Sequence, residues 1–257
     1  VTADKTITDP KLLGPLLLDT GILLLRSGAS SNRINIILQR MASAYNTIAH
    51  IDLGAKSISL SLQSMTPHEH FHGTRNTPDY GVNFTALSGV HGMSEAVHEK
   101  PWPLNDIKQE VDRLKGLPHY PRALVLFTVA CAGAAFCRIF GGDLPEMGIV
   151  FGATLSGLFA KQELLKKSVN TYICTFLSAL VAALFTGVFF ATGLTPQLEH
   201  ANATCILFLV PGVPLLNFFI DLIAGNILYA LERGINALIH IMAIALGLAA
   251  AAYIYYF

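Results

Sequence analysis

The stretch Leu209-Val210-Pro211-Gly212-Val213-Pro214-Leu215-Leu216-Asn217 carries the most pointed chemistry in the sequence. Two prolines remove two backbone donors, and Gly212 between them loosens the turn. The stretch lies within an apolar run. If that run begins near Ala201, Pro211 falls roughly 15 Å along it, close to the middle of a hydrocarbon layer about 30 Å thick. A helix broken there exposes backbone groups that hydrocarbon cannot solvate, so they must line a cavity or be met by neighbours. The restarted half-helix has Pro214 in its first turn and aims a partial positive charge, with the Leu215 and Leu216 N–H groups, at such a cavity. Transporters hold carboxylates at ends of this kind. Asn217 and Asp221 follow one turn apart. Pro211, Gly212, Pro214, Leu215, Leu216, Asn217 and Asp221 are therefore the expected substrate pathway. Two blander readings compete: an ordinary proline kink repaired by neighbouring helices, and Asp221 as an interfacial cap.

A second candidate is His68-Glu69-His70-Phe71-His72, where alternate histidines on a strand share one face. His68, His70 and His72 are weak metal candidates, because the sequence places no further ligand and solvated histidines are the commoner explanation of such a run. No G-x-S-x-G, P-loop or H-E-x-x-H occurs, so neither a catalytic residue nor a cofactor is expected. His240 is a lone histidine, read as a packed or hydrogen-bonded residue.

The elements that position these groups follow from composition. The chain is 53% apolar and 13% charged, against about 25% charge in ordinary soluble domains. Lys and Arg total 17, of which 12 fall at or before Arg122. Zero net charge argues against a nucleic-acid partner. Cys131, Cys137, Cys174 and Cys205 sit in apolar runs without C-x-x-C spacing and read as small buried hydrophobes. The polar opening, Val1 to Pro10, does not read as a signal peptide.

Residues 1–118 read as a soluble α+β domain. A buried helix is expected from Leu16 to Leu25, ended by Arg26, Ser27 and Gly28. Ser30 or Ser31 caps a second helix to about Tyr45, with Ile34, Ile37, Met41 and Ala44 on one face. Ser57-Ile58-Ser59-Leu60-Ser61-Leu62 alternates strictly, as a strand with one buried face does. His50 to Leu53 is its hairpin partner through Gly54-Ala55-Lys56. Further strands are expected at Phe71 to Arg75 and Val82 to Leu87, flanking the turn-rich 76–81. A helix from about Asn105 to Lys115 places Ile107, Val111 and Leu114 on one side.

Residues 119–257 change character. Apolar runs at about 120–140, 144–165, 169–193, 201–224 and 232–257 each approach the 20 or so residues that a spanning helix needs. The expected fold is an α-helical integral membrane protein with five transmembrane helices and an amino-terminal cytoplasmic α+β domain. Glu146 and Lys161, near the ends of the second run, are placed to reach the interface. Lys161, Lys166 and Lys167 mark the second-to-third connection and Arg233 the fourth-to-fifth, which puts the amino terminus inside and the carboxyl terminus outside. Tyr120 near the inner face, and Tyr253, Tyr255, Tyr256 and Phe257 near the outer, suit aromatic belts. Small residues recur every four positions: Gly148, Gly152, Ser156 and Ala160; Ala179, Ala183, Gly187 and Ala191; Ala243, Gly247 and Ala251. Such stripes signal close helix packing, within the chain or against a partner.

With these residues in view, the chain resembles the threonine/serine exporter family from about Leu16 to the last helix. The marks are Gly28-Ala29-Ser30-Ser31 with Arg33; Thr74-Arg75 followed by Asp79, Gly81 and Asn83; Tyr120-Pro121-Arg122; and 210–217 with Asp221 and Gly225. Within the family, length and helix count are most similar to the larger, domain-bearing subunit of bacterial two-component succinate exporters. The resemblance implies an inner-membrane exporter subunit for a small carboxylate, succinate first and threonine or serine second, completed by a separate partner of about four helices. Two other classes stay open: a membrane-anchored metal-dependent hydrolase using the histidine cluster, and a scaffold subunit that does not line the pathway.

Overall fold

The computed structural model describes residues 9–54, 57–64, 70–76, 81–117, 120–192 and 198–256. The chain divides into two compact units, Val1–Pro118 with Val213–Gly234, and His119–Gly212 with Ile235–Phe257. The segment 213–234 thus belongs with the amino-terminal residues, although the sequence counts it among the membrane runs.

The first unit opens with helix α1, Pro10–Arg26, where Asp9 caps by accepting from the Lys11 N–H and Pro10 occupies the first turn. It starts earlier than Leu16, because Pro15 lies inside it without ending it. Asp19, which interrupts the apolar stretch, pairs with Arg75 at 2.6 Å. Helix α2, Ser31–Ala44, is capped by Ser30, and its Ile34, Ile37, Leu38 and Met41 are fully buried. Strands β1 (Thr47–Gly54), β2 (Ser57–Ser64) and β3 (His70–Asn76) form an antiparallel sheet in that order. Ile51 faces Leu60, and Leu60 faces Gly73 across the ladders. The alternation in β2 puts Ile58, Leu60 and Leu62 into the core beside α1 and α2. Ala55 and Lys56 of the expected hairpin turn, and most of the 76–81 turn, lie outside the described residues.

The expected strand at Val82 to Leu87 is overturned. Helix α3 runs Phe84–Glu99, and the Asn83 side chain caps it by accepting from the Ala86 N–H at 3.0 Å. Ala86, Leu87, Val90, Met93 and Val97 are buried at helical spacing. The start signal was the asparagine, and the longer period after it outweighs the local β-propensity of Val82 and Phe84. Helix α4, Leu104–Lys115, follows the sequence reading and buries Ile107, Val111 and Leu114.

The second unit contains α5 (Arg122–Ile139), α6 (Leu144–Lys166), α7 (Thr171–Ala191) and the short α8 (Leu198–Cys205). Helix α9 (Gly212–Ile223) belongs to the first unit from Val213 onward. Helix α10 (Ile227–Tyr256) begins in the first unit and continues in the second from Ile235. The small residues let these helices approach: Gly157 meets Ala182, and Gly247 meets the Phe176 carbonyl and Ala179. Among the described residues, three helices are long and apolar enough to cross a membrane, Arg122–Ile139, Thr171–Ala191 and Ile227–Tyr255. The broken pair 200–209 and 212–223 together would make a fourth. Only 17%, 44% and 28% of the three most apolar windows is buried, so large apolar side chains point outward, as they do in lipid. Glu146, expected at an interface, is buried; its side chain accepts from the Asp143 N–H at 3.1 Å in a capping box. Cys131 is exposed while Cys137, Cys174 and Cys205 are buried, and all four are free thiols.

Candidate functional site

The interruption is present where the two prolines put it. Helix α8 ends at Cys205, a single 3-10 turn covers Leu207–Leu209, and Val210 is extended at φ −60°, ψ 125°. A residue before proline is pushed out of the helical region, and Val210 precedes Pro211. The Gly212 N–H turns back to the Val210 carbonyl at 2.8 Å, and α9 starts there with Pro214 in its first turn.

Beyond the break, α9 is built inside out. Within this helix the buried residues are Asn217 and Asp221, while Leu216, Phe219, Leu222 and Ile223 are exposed. Leu216, expected to offer its N–H to a solute, has its side chain 61% exposed. Pro211 and Gly212 fall in the second unit, Pro214 to Asp221 in the first.

The polar face of α9 meets the turn between α1 and α2. Gly28 adopts φ +87°, a left-handed conformation that suits glycine and closes α1. Its carbonyl accepts from Asn217 Nδ2 at 2.9 Å. Asp221, fully buried, accepts at Oδ1 from the Ser31 N–H (2.9 Å) and hydroxyl (2.6 Å), and at Oδ2 from Arg233 Nη1 (2.9 Å). Gly225, at φ +82°, turns α9 into α10, and the Asn226 N–H bonds the Asp221 carbonyl across that turn. Asn226 Nδ2 donates to Ser31 Oγ at 2.7 Å. Arg233 Nη2 donates to the Ala29 carbonyl (2.8 Å) and the Tyr229 hydroxyl (3.0 Å), and the guanidinium lies 4.5 Å from the Tyr229 ring centre. A cleft of ≈ 70 Å³ adjoins this network, lined by Ser31, Asn35, Asp52, Asn226 and Tyr229 with Ile51 and Leu53.

Two buried charges lose several kcal/mol of hydration each, so such a pair persists only when hydrogen bonds occupy its remaining lone pairs and protons. Here the Ser31 N–H and hydroxyl serve Asp221, and the Ala29 carbonyl and Tyr229 hydroxyl serve Arg233. The arrangement can hold a carboxylate firmly in an environment that excludes most water.

Sequence reasoning missed the roles of Arg233, read as a charge on a cytoplasmic connection, and of Ser31, read as a helix cap and as one mark of the family resemblance. A signal existed. Arg233 is the sole Lys or Arg after Lys167, in strongly apolar sequence whose acids are Glu199, Asp221 and Glu232. A lone cation in such a setting pairs with an acid. His240 is a packed residue, its Nδ1 3.1 Å from Thr175 Oγ1 and its ring 4.8 Å from that of Tyr172. His70 and His72 lie on β3, with His72 Nδ1 2.9 Å from Ser61 Oγ. His68 lies outside the described residues. Among the described residues no three His, Cys, Asp or Glu side chains are placed to hold a metal ion.

Comparison with known proteins decides the family. The model of the family described as "Putative threonine/serine exporter" (ThrE) matches residues 15–255. The chain belongs to the threonine/serine exporter family. Two curated relatives carry the name "Probable succinate transporter subunit YjjP". The one from Klebsiella aerogenes is 26% identical over 95% of this chain and 94% of its own length. The one from Escherichia coli K12 is 25% identical over 90% of each. No solved structure matches the chain. This member of the threonine/serine exporter family is accordingly a membrane transport protein. In it, Gly28 to Ser31 and the segment after Pro214, two of the stretches that carry the resemblance, are bonded to each other.

Proposed function

We propose that the chain is one subunit of a bacterial inner-membrane exporter for a small carboxylate, completed by a separate small membrane subunit of about four helices. Succinate is the first candidate solute, in line with the name borne by the two relatives. Threonine and serine are the second, in line with the family description. The observation that carries the reading is α9, which follows a proline break and buries only Asn217 and Asp221 while its apolar side chains face outward. A helix that serves only as an anchor gains nothing from such an interruption, which costs free energy in lipid. The pathway runs past Pro211, Gly212, Pro214, Leu215, Leu216, Asn217 and Asp221.

The proposed topology has residues 1–118 as a cytoplasmic domain and 119–257 as a membrane domain that crosses five times, with the amino terminus inside and the carboxyl terminus in the periplasm. The bonds from Asn217 and Asp221 to Gly28 and Ser31 support it. In this reading the turn after α9 shares a side of the membrane with the amino-terminal domain. The crossings between residues 118 and 224 are then even in number: α5, α6, α7 and the broken pair, with α10 as the fifth. Arg233 is buried within α10 and not on a loop, so the charge argument for orientation rests on the amino-terminal basic residues and on Lys161, Lys166 and Lys167.

Export decides the function. Cells loaded with labelled succinate, threonine or serine should release one of them faster when they carry this chain together with its partner than with either alone. Equal release by cells with and without the pair, for all three solutes, rejects the reading. For topology, a reporter after Phe257 should work only outside the cytoplasm and one after Lys167 only inside.

A further inference from the structure

Three donors converge on the Asp221 carboxylate, and each is held in place by something other than Asp221. The Ser31 N–H belongs to the first turn of α2, a helix anchored by Ile34, Ile37 and Leu38 in the core. The Ser31 hydroxyl is also bonded by Asn226. The Arg233 guanidinium is fixed by the Ala29 carbonyl and by the hydroxyl and ring of Tyr229. Donors positioned by independent partners remain aimed when the acceptor leaves, and such preorganisation favours binding of another acceptor of the same shape. Asp221 itself lies near the end of a 12-residue helix whose other buried side chain is Asn217. A small cleft lined by Ser31, Asn35, Asp52, Asn226 and Tyr229 adjoins this set at Ser31; Asp221 and Arg233 do not line it, and the carboxylate that does is Asp52.

We propose that Ser31 and Arg233 form a binding site for the carboxylate of the exported solute, with Asp221 as an internal placeholder that the solute displaces. The proposal rests on the exporter reading and gives it a full positive charge where the start of α9 alone offers about half of one. The ligand class is a single carboxylate group, common to dicarboxylates and amino acids. The cycle is an exchange of one carboxylate for another on fixed donors, so Arg233 never stays buried without an anion.

The test has two arms, both on the full chain. In detergent, Asp221→Ala empties the acceptor position. Acetate should then raise the melting temperature of the variant by several degrees, while leaving the parent and the Asp221→Ala/Arg233→Met variant unmoved. Sodium chloride at equal ionic strength should do nothing. Asp221→Asn, nearly the same size, provides the same measurement where the alanine variant does not fold. In cells, Ser31→Ala removes one hydrogen bond to a charged group, which corresponds to about a tenfold rise in the KM for export with kcat per folded transporter within about twofold. A purely structural latch would lower the amount of folded transporter and leave KM unchanged. Acetate without effect on either Asp221 variant, or an unchanged KM in Ser31→Ala, overturns the proposal. Absence of any carboxylate export by the parent with its partner overturns the exporter reading instead, and the acetate measurement still judges the site.

Discussion

The first unit hides its large aliphatic side chains, and the second hides its small ones. Before residue 118 the fully buried set runs through Leu13, Leu17, Leu24, Ile34, Ile37, Leu38, Met41, Ile58, Leu60 and Leu62. In the second unit the buried positions are mostly small, among them Ala130, Ala153, Thr154, Thr175, Ser178, Ala179, Ala182, Ala183 and Thr186, with Ile149, Val150, Leu209 and Ile244 as larger exceptions, while Phe127, Phe136, Phe159 and Ile173 are exposed. Water drives large apolar groups inward at roughly 25 cal/mol per Å². Lipid exerts no such pressure, so helices associate through close contact of small residues and a few hydrogen bonds. The segment 213–234 packs with the first unit yet follows the second unit's rule. Its buried residues include Asn217, Asp221 and Arg233, and Ile223 and Leu228 are 87% and 86% exposed. Exposed apolar side chains on a segment packed against the first unit are what a lipid-facing surface would give.

The sharpest way to break this contrast is to remove the interruption that precedes α9. Replacing Pro211 and Pro214 by Ala restores two backbone donors and favours a continuous helix. Export should fall to background while membrane insertion and expression stay at parental level. Parental export by this double variant would reduce the motif to a kink.

A smaller effect is expected at the buried pair. Arg233→Met leaves Asp221 buried without its cation, a loss of about 3–5 kcal/mol. Replacing both, as Asp221→Leu/Arg233→Met, should recover most of that stability, because an apolar pair carries no desolvation cost. Melting in detergent reads both variants. A double variant as unstable as the single would mean that the pair holds the segment by more than its charges.

Much of this architecture was legible in the sequence, and the gaps have physical causes. The periodicities of α2, β2 and α4 and the apolar runs of α5 to α7 correspond closely to the elements observed. Helix α3 was read as a strand at its start because Val82 and Phe84 favour β structure locally, and the Asn83 cap went unnoticed. In the candidate site, Asp221 and Asn217 were legible as polar groups in an apolar run. Their partners were not, since Ser31 lies 190 positions from Asp221 and nothing in a periodicity reports a contact at that distance. Arg233 was assigned to a connection because the apolar run was taken to start at 232, whereas α10 begins at Ile227.

Paired substitutions test whether apolar solvent covers the outer face of the 213–234 segment. Leu38→Ala, in the first unit's core, should cost about 2–5 kcal/mol. Leu228→Ala, at an exposed position, should stay within about 0.5 kcal/mol. The charged variant discriminates: Leu228→Asp costs about 2–3 kcal/mol if lipid covers the site and next to nothing if water does. Insertion efficiency of Leu228→Asp into membranes, compared with Leu228→Ala, is the measurement. Equal insertion of the two would remove α9 and the start of α10 from the bilayer.

The smallest effect is expected deep in the first unit, where the water-adapted rule meets a polar group. Tyr45, only 2% exposed, closes α2 and donates its hydroxyl to the Trp102 carbonyl at 2.5 Å. Burial pushes the phenol up to about 12. Because the folded value lies above the ordinary 10.0, the neutral phenol's contribution to stability is complete below pH 10. It is lost progressively as pH rises from there toward 12. Tyr45→Phe should cost about 1 kcal/mol at neutral pH, for the lost hydrogen bond, and should flatten the decline between pH 10 and 12. Trp102 is the only tryptophan in the chain, so its fluorescence reports this corner alone during denaturation. If the second unit obeys a different solvent, its helical signal should persist over the pH range in which Trp102 becomes exposed. Simultaneous loss of both signals would mean that the units melt as one, and that the difference in what they bury does not separate their stabilities.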